Sequence, residues 1–325
     1  MLVLSADDQR KAITIKEAID SVATALSEYS SGRTVSPVRT SIAVKNDASS
    51  LFMPSYINKT ESLGIKIVSV FPKNQAIAKS TINGLMILLN ADTGEPLALM
   101  DASYLTVLRT GAVTGLATDY LARKEASKLA VIGTGVQSRG QIESVISVRQ
   151  IEEITLYNRS YQKAEEARLE IREKHPDINI IITNSSQEAI ENADIIVTAT
   201  NSNVPVINGT IPKGTHINAI GSFKPTMQEI PTEIVKKVNK IIVESREAVL
   251  EETGDLIIPI REGVLASEDI YAELGELVEG KRNGREFEHE ITLFKSVGLA
   301  PMDVAVAKTI YDRAVAMNLG TYIFV

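Results

Sequence analysis

The sequence has no cysteine, no tryptophan and only three histidines among its 325 residues. Without cysteine the chain can form no disulfide, no thiolate metal site and no cysteine nucleophile. The histidines lie far apart along the chain and lack the spacing of metal ligands, at His175, His216 and His289. We therefore expect no metal site.

Long apolar runs and an excess of positive charge are also missing. No apolar run approaches the roughly 20 residues that a transmembrane helix needs. The N-terminal segment, which carries Asp7 and Asp8, lacks the apolar core of a signal peptide. With 34 basic and 41 acidic residues, the net charge of −7 disfavours nonspecific binding to nucleic acid. We expect a cytoplasmic protein that binds neither nucleic acid nor membrane, and its hydrophobic fraction of 44% is ample for a packed core.

Two closely spaced glycines separate an apolar run from a helical pattern. Residues 129–132 are typical of a buried strand, Gly133 and Gly135 follow, and residues 136–148 have helical spacing. In such a strand, turn and helix, the first glycine allows the tight turn. The second glycine lets a phosphate approach the backbone at the helix N-terminus.

The third glycine of the full dinucleotide fingerprint is absent. Ser138 stands in its place, and Gly140 comes two residues later. The local pattern alone therefore leaves both a dinucleotide site and a plain structural turn open.

From this turn onward, predicted strands and helices alternate. The strands are continuous apolar runs, which are typical of a doubly wound parallel sheet. In such a sheet, the turn after the first strand is the expected place for a dinucleotide. The predicted strands are 129–132, 153–157, 179–183, 194–200, 215–220 and, as the last of the sheet, 240–243. The predicted helices are 136–148, 160–174 and 186–192, and a further helical stretch is expected around 280–285.

The N-terminal part combines predicted helices with predicted strands. Residues 104–121 are rich in small side chains, which allow a helix to approach another backbone closely but also suit ordinary core packing. The polar residues 123–127 indicate a domain boundary. Strands are predicted at 1–4, 39–44, 50–54, 63–71, 84–90 and 97–100, and helices at 16–29 and 303–316.

The second predicted strand of the parallel sheet ends in Asn158 and Arg159. Sheets that prefer NAD carry an acidic residue here, which binds the ribose 2′-hydroxyl. A neutral asparagine followed by arginine can instead accept a 2′-phosphate. We expect NADPH, with NADH as an alternative cofactor. Arg159 can also be read as a solvated loop residue.

Taken together, the motifs make the chain similar to the ornithine cyclodeaminase/μ-crystallin family over essentially its whole length. The resemblance implies a homodimer with a Rossmann domain that binds NAD(P). It also implies a discontinuous α+β domain for substrate binding and dimerisation, here residues 1–122 with 301–325, beside a Rossmann domain of residues 123–300. The motifs are Gly64-Ile-Lys66 with Pro72, Leu108 to Ala117, Val131 to Gln137, Tyr157-Asn-Arg159, Asn218-Ala-Ile-Gly221 with Pro225 and Glu229, and Thr292 to Gly298 with Asp303.

The same resemblance implies residues for both ligands. A small imino- or amino-acid carboxylate would meet basic and hydroxyl side chains, because arginine offers a planar fork and lysine a point charge or a proton. Lys66 and Arg109 can also be read as partners in a structural salt bridge. The implied substrate residues are Arg39, Lys66, Thr81, Arg109, Phe223 and Ser296, and the implied cofactor residues are Thr110, Gly133, Gly135, Val136, Gln137, Asn158, Arg159, Ser160, Thr198, Thr200, Ile220 and Ser222.

One loop departs from the cyclodeaminase pattern. Those enzymes carry an aspartate in this loop, which handles the proton of the substrate amine, whereas Phe223 stands there in Gly221-Ser-Phe-Lys-Pro225. The acid that precedes their Met-Pro pair is also missing from residues 51–54. Phenylalanine cannot exchange a proton or hold a second ammonium group. Phe223 can flank a small ring or simply pack beneath the loop.

Reduction of a cyclic imine requires fewer catalytic groups than the cyclodeaminase reaction. The enzyme must anchor the carboxylate, protonate the imine nitrogen and present a hydride, and a general acid adds roughly 10²–10⁴-fold. Lys66, or a water held by Ser222, could be that acid. The expected activity is the NAD(P)H-dependent reduction of Δ1-pyrroline-2-carboxylate to proline. Ornithine cyclodeaminase, an alanine-type dehydrogenase and a non-catalytic ligand-binding protein are the alternatives.

Overall fold

The computed structural model describes residues 1–45 and 48–324. It divides the chain into two compact units, residues 1–109 with 299–325 and residues 110–298. The strands are β1 (Leu2–Leu4), β2 (Thr34–Val35), β3 (Thr40–Ala43), β4 (Ser49–Ile57), β5 (Ser62–Val70), β6 (Ile82–Leu89), β7 (Pro96–Asp101), β8 (Lys128–Ile132), β9 (Glu153–Tyr157), β10 (Asn179–Ile182), β11 (Ile195–Thr198), β12 (His216–Ala219), β13 (Lys240–Val243), β14 (Ile270–Glu273), β15 (Thr292–Lys295) and β16 (Thr321–Tyr322). The helices are α1 (Ala6–Ala12), α2 (Ile15–Ser30), α3 (Ala102–Leu121), α4 (Val136–Val148), α5 (Tyr161–Lys174), α6 (Ser186–Ile190), α7 (Thr232–Val235), α8 (Arg246–Glu252), α9 (Gly254–Arg261), α10 (Leu274–Val278) and α11 (Ala300–Ala316).

The first unit is a sheet covered by helices. Its strand order is β16-β1-β7-β6-β5-β4-β2, with β3 paired to β4, and only the β1–β7 pairing is parallel among the described strands. Helix α2 begins with a capping box in which Thr14 and Glu17 satisfy each other's backbone N–H groups. The apolar residues of α2 that recur at helical intervals are buried, and α11 packs against both α2 and the strands β4 to β6.

The second unit confirms the predicted doubly wound parallel sheet. Its order is β10-β9-β8-β11-β12-β15-β13-β14, and every pairing is parallel. Leu129 and Val131 of β8 belong to one hydrophobic core, and Ala130 and Ile132 belong to another. Because successive side chains point to opposite faces, both faces of this strand are buried, which explains its continuous apolar run.

Two predictions about the end of this sheet are wrong. Residues 240–243 are not its last strand, because β14 and β15 follow. The stretch 280–285 is not helical: α10 ends before Gly280, which has a φ of 71° and so stops the helix in the left-handed conformation. Gly284 packs against α3, since a Cβ there would lie 2.3 Å from the Tyr120 carbonyl oxygen.

The division between the two units falls inside α3, between Arg109 and Thr110, rather than at the polar stretch that follows this helix. The reason is that the C-terminal part of α3 packs closely on α4. A Cβ on Gly111 would lie only 2.3 Å from the carbonyl oxygen of Gly140, so the small residues of α3 serve close helix contact. The functional assignment of the two predicted domains stays a prediction.

Among the described residues, no helix is both long and apolar enough to cross a membrane.

Candidate active site

Three charged side chains meet inside the first unit. Lys66, on the central strand β5, places its Nζ 2.7 Å from the Asp303 carboxylate in the first turn of α11. Arg109 of α3 donates from Nε to Asp303 Oδ1 over 3.0 Å. The three residues are 2%, 0% and 7% exposed for Lys66, Asp303 and Arg109. The N-terminus of α11 also favours the negative charge on Asp303, because the helix dipole is positive there.

Lys66 is poised to give up a proton near neutral pH. Burial lowers the pKa of Lys66 to about 8, against the opposing effect of Asp303 and with a further lowering by Arg109 and Arg39. Its partners across the two neighbouring strands are Met53 and Met86, both buried. Methionine side chains therefore neighbour Lys66 along the sheet, while its amine pairs with Asp303.

Arg109 keeps part of its binding capacity free. Its Nε is bonded to Asp303, whereas its two Nη groups donate to no acceptor within residues 1–45 and 48–324. A guanidinium whose outer fork is open can bind a carboxylate in two parallel hydrogen bonds.

The other two predicted substrate residues of this unit lie at different distances from Lys66. Arg39 is half-buried and close enough to influence the charge on Lys66. Val70 lies four positions along β5 from Lys66 and pairs with Ile82 of β6. Thr81 lies one residue beyond that pair. At about 3.3 Å per residue, the strands carry Thr81 well away from the amine.

The glycine turn of the second unit has the geometry of a phosphate-binding turn. Gly133 has a φ of 96°, and a Cβ there would lie 2.7 Å from the carbonyl oxygen of Ala199, so no other residue fits. A Cβ on Gly135 would meet open space. Gly135 is also the N-cap of α4 and offers no side-chain cap to the first N–H groups of that helix. These N–H groups can therefore bind the pyrophosphate of a dinucleotide, and the residues present fit it.

The helix that follows explains the missing third glycine. Ser138 is buried and donates from Oγ to the Gly135 carbonyl oxygen over 2.7 Å, so it supports the turn from inside. Close packing against α3 is the role of Gly140, opposite Gly111. The predicted cofactor residues Val136 and Gln137 lie at the start of α4, with Val136 75% exposed and Gln137 half-buried.

The end of β9 holds the second set of predicted cofactor residues. Asn158 accepts from the Thr134 backbone N–H over 3.3 Å and donates to the Ser160 carbonyl oxygen over 3.1 Å. Ser160 caps α5 by accepting from the backbone N–H of Lys163. Arg159 is exposed and has no hydrogen-bond or ion-pair partner within the described part of the chain. Its guanidinium is available to a phosphate.

A buried carboxylate joins the ends of β11 and β12. Glu229 accepts from Thr198 Oγ1 at 2.9 Å, from the Thr200 backbone and hydroxyl at 2.6 and 2.8 Å, and from the Gly221 N–H at 2.6 Å. Burial, followed by the nearby Asp255, raises the pKa of Glu229, and Lys295 opposes that rise. Since ligands of doubly wound sheets bind beyond the C-terminal ends of the strands, Glu229 shapes the edge where a ligand would lie.

Glu229 depends in turn on an ion pair that the sequence analysis missed. Asp255, in the first turn of α9, accepts from the backbone N–H groups of Glu229 and Ile230 and pairs with Lys295 at 2.9 Å. Asp255 and Lys295 are both fully buried. The only signal in the sequence was a lysine ending the short apolar run of β15, and nothing in the sequence near it indicated its partner.

The remaining predicted residues differ in burial, and two of them use their hydroxyl groups in internal hydrogen bonds. Ser222 is buried, donates to the Met227 carbonyl oxygen over 2.6 Å and contacts Thr253 Oγ1, so its hydroxyl gives no support to a role in holding a catalytic water. Ser296 is buried too and donates to Glu244. Phe223 is 40% exposed, and Ile220 is half-buried at the end of β12. Thr110 lies buried in α3.

Comparison with known proteins agrees with the geometry. Residues 1–318 match the sequence profile of the ornithine cyclodeaminase/mu-crystallin family. A Δ1-pyrroline-2-carboxylate reductase of Bacillus cereus is 50% identical over 321 residues, which are 98% of each chain. The structure of the Thermococcus litoralis Δ1-pyrroline-2-carboxylate reductase in complex with NADH and L-proline is 42% identical, with a TM-score of 0.95 and coverage of 99% of this chain and 100% of that one. An archaeal alanine dehydrogenase dimer with bound NAD is 35% identical, with a TM-score of 0.92 and coverage of 100% and 99%. The chain therefore belongs to the ornithine cyclodeaminase/mu-crystallin family.

Proposed function

We propose that this protein reduces a cyclic imino acid with NAD(P)H, and that its substrate is Δ1-pyrroline-2-carboxylate, which becomes L-proline. The observation that carries the proposal is the buried cluster of Lys66, Asp303 and Arg109. It combines a proton donor whose pKa is about 8 with an arginine fork that is open to a carboxylate. The similarity to pyrroline-2-carboxylate reductases over nearly the whole chain supports the same activity.

Each residue of the cluster has a distinct task. Arg109 binds the substrate carboxylate through its Nη groups, and the half-buried Arg39 adds positive charge to the same region. Lys66 donates a proton to the imine nitrogen, so that the carbon–nitrogen double bond becomes a single bond as the hydride arrives at carbon. Asp303 keeps the Lys66 amine in place and sustains its protonated form. The methionines beside Lys66 suit an apolar ring.

The second unit would hold the cofactor. Gly135 and the N-terminus of α4 would bind the pyrophosphate, and Asn158 with Arg159 would bind the adenosine ribose. When bound, the reduced nicotinamide supplies the hydride. The exposed guanidinium of Arg159 and the neutral Asn158 favour NADPH, with NADH as an alternative cofactor. Cytoplasmic location stays a prediction.

Two features argue against the cyclodeaminase alternative. Phe223, and not an acid, stands in the loop where a cyclodeaminase handles its substrate amine, and the strand neighbours of Lys66 are Met53 and Met86. A diamino acid carries a second ammonium group, which neither phenylalanine nor methionine can receive.

We also propose that two copies associate through the first unit. The face of its sheet opposite Lys66 is apolar across four strands and is only partly covered. Its central row joins Phe52, Ile67 and Leu85, and Ile42 stands two residues along β3 on the same face. Leu85 is 48% and Ile42 is 51% exposed. An uncovered apolar face of this kind is typical of an interface, and the archaeal alanine dehydrogenase that this chain resembles is a dimer.

A substrate panel tests the proposed activity. The purified protein is given Δ1-pyrroline-2-carboxylate with NADPH or NADH, pyruvate and ammonia with the same cofactors, and ornithine with NAD⁺. Cofactor oxidation should be fastest by far with the cyclic imine and should yield L-proline. Ammonia release from ornithine without imine reduction would support a cyclodeaminase, and a preference for pyruvate would support an alanine dehydrogenase. Binding without turnover in every reaction would support a ligand-binding protein.

A further inference from the structure

The residue between the two turn glycines is held on both of its backbone sides. The N–H of Thr134 donates to Asn158 Oδ1 over 3.3 Å, and its carbonyl oxygen accepts from Arg139 Nη1 over 3.2 Å. Thr134 is itself 3% exposed. Because glycine on either side gives the backbone unusual freedom, these two contacts help to restrict the rotation of the turn, beside the Ser138 hydroxyl that donates to the Gly135 carbonyl oxygen.

Arg139 occupies an unfavourable place for a positive charge. It lies in the first turn of α4, where the helix dipole disfavours a cation. Its side chain runs back toward the turn and is only 23% exposed, and Glu170 of α5 accepts from its Nε over 2.5 Å. Glu170 therefore offsets the cost of the charge while leaving Nη1 aimed at the Thr134 carbonyl oxygen. Arg139 was not among the residues predicted for the site.

We propose that Arg139 is a positioning residue for the cofactor pyrophosphate. By fixing the Thr134 carbonyl oxygen, it holds the next peptide group and the N–H groups at the start of α4 in the orientation that binds phosphate. The inference rests on the proposed function, since it assumes that this turn binds a dinucleotide. The pyrophosphate is common to both cofactors. Loss of Arg139 should therefore weaken NADH and NADPH binding by the same factor.

The test compares four variants with the wild type by titrating NADH and NADPH fluorescence. Arg139→Met removes the contact to Thr134, Arg139→Lys keeps the charge, and Glu170→Gln removes the ion pair but keeps the donor to Thr134. Arg168→Met is the matched control, because Arg168 makes a similar pair with Glu165 within α5 at 2.5 Å, away from the turn.

We expect Arg139→Met to raise the Kd of both cofactors about tenfold, as for the loss of a charge-assisted hydrogen bond. Arg139→Lys should recover part of that loss, and Glu170→Gln should change Kd by less than about threefold because the donor to Thr134 stays. Arg168→Met should leave Kd unchanged.

Three results would overturn the inference. The first is unchanged cofactor binding in Arg139→Met, and the second is a loss of affinity confined to NADPH. The third is a loss in Arg139→Met that Arg139→Lys does not recover in part and that Arg168→Met shows equally. If the wild type bound neither cofactor, the proposed function itself would fail. If Arg139→Met did not fold, the Kd values of NADH and NADPH would be compared in the milder variants Arg139→Lys and Glu170→Gln. A loss of affinity confined to NADPH would again overturn the inference.

Discussion

The proposed chemistry of the first unit depends on one lysine that is buried beside one carboxylate. Lys66 and Arg109 were predicted from their motifs, and the structure places both on Asp303, which lies 237 residues from Lys66 along the chain. Asp303 was noted as a motif residue but not as a member of the site. Local sequence patterns could not reveal its role, because the contact forms only when α11 returns to the sheet of the first unit. Burial lowers the pKa of this lysine to about 8, which suits the proton donor that we propose.

The pH dependence of imine reduction should report on Lys66. Its pKa of about 8 means that the amine is protonated below that pH and neutral above it, so kcat/KM should fall as pH rises through about 8. Asp303 raises this pKa, and Asp303→Asn should therefore move the fall to lower pH. The measurement is a pH profile of kcat/KM for both proteins. A fall at the same pH in both would assign the titration to the substrate.

Arg159 should set the cofactor preference. It is exposed at the end of β9 and has no partner among the described residues, so its replacement costs no internal contact. Arg159→Ala should raise the KM for NADPH by roughly tenfold or more and leave the KM for NADH within about twofold, since only NADPH carries the 2′-phosphate. Equal changes for both cofactors would show that Arg159 does not contact this phosphate. Lys163→Ala, in the first turn of α5, is the control.

At the scale of elements, the parallel sheet could be predicted where its strands form continuous apolar runs. Strands β8 to β13 were all found, because such runs have few other interpretations. Strands β14 and β15 were not found, because each is short and ends in a charged residue that interrupts its apolar run. The charge of Lys295 is tolerated only because Asp255 lies beside it, which no local pattern could reveal.

The buried pair under β15 should be costly to break. Lys295→Met would leave Asp255 and Glu229 as two buried carboxylates without their cation, and we expect a loss of about 3–5 kcal/mol in the free energy of unfolding. Urea denaturation measures this loss. The control is Lys308→Met, which breaks the pair with Asp312 on the surface of α11 and should cost about 1 kcal/mol or less. Similar losses in both variants would show that the buried cluster contributes no more to the free energy of unfolding than a surface ion pair does.

At the scale of the whole molecule, the proposed reaction divides its tasks between two units of the chain. In this proposal the first unit supplies the proton donor and the carboxylate anchor, and the second supplies the phosphate-binding turn. The pattern of predicted strands and helices indicated two kinds of domain, but the predicted boundary lay at the polar stretch after α3. The structure divides α3 itself, because Gly111 packs on Gly140 of the second unit.

The open apolar face of the first sheet gives a prediction about assembly. Ile42→Glu combined with Leu85→Glu would place charges in an interface between two copies, and the variant should sediment as a monomer while the wild type sediments as a dimer. Both side chains are about half exposed in the single chain, so the variant should keep its fold by circular dichroism. Replacing the exposed Leu169, on α5 of the second unit, with Glu is the control. A dimeric double variant would place the interface elsewhere.

The kinetics of Lys66→Met test the central proposal most directly. With Δ1-pyrroline-2-carboxylate and saturating NADPH, kcat should fall by roughly 10²–10⁴-fold, the range expected for loss of a general acid. The affinity for NADPH, measured by fluorescence, should stay within about twofold of the wild type, because none of the predicted cofactor residues is changed. A kcat within about threefold of the wild type, in a folded protein, would contradict the assignment of Lys66 as the proton donor.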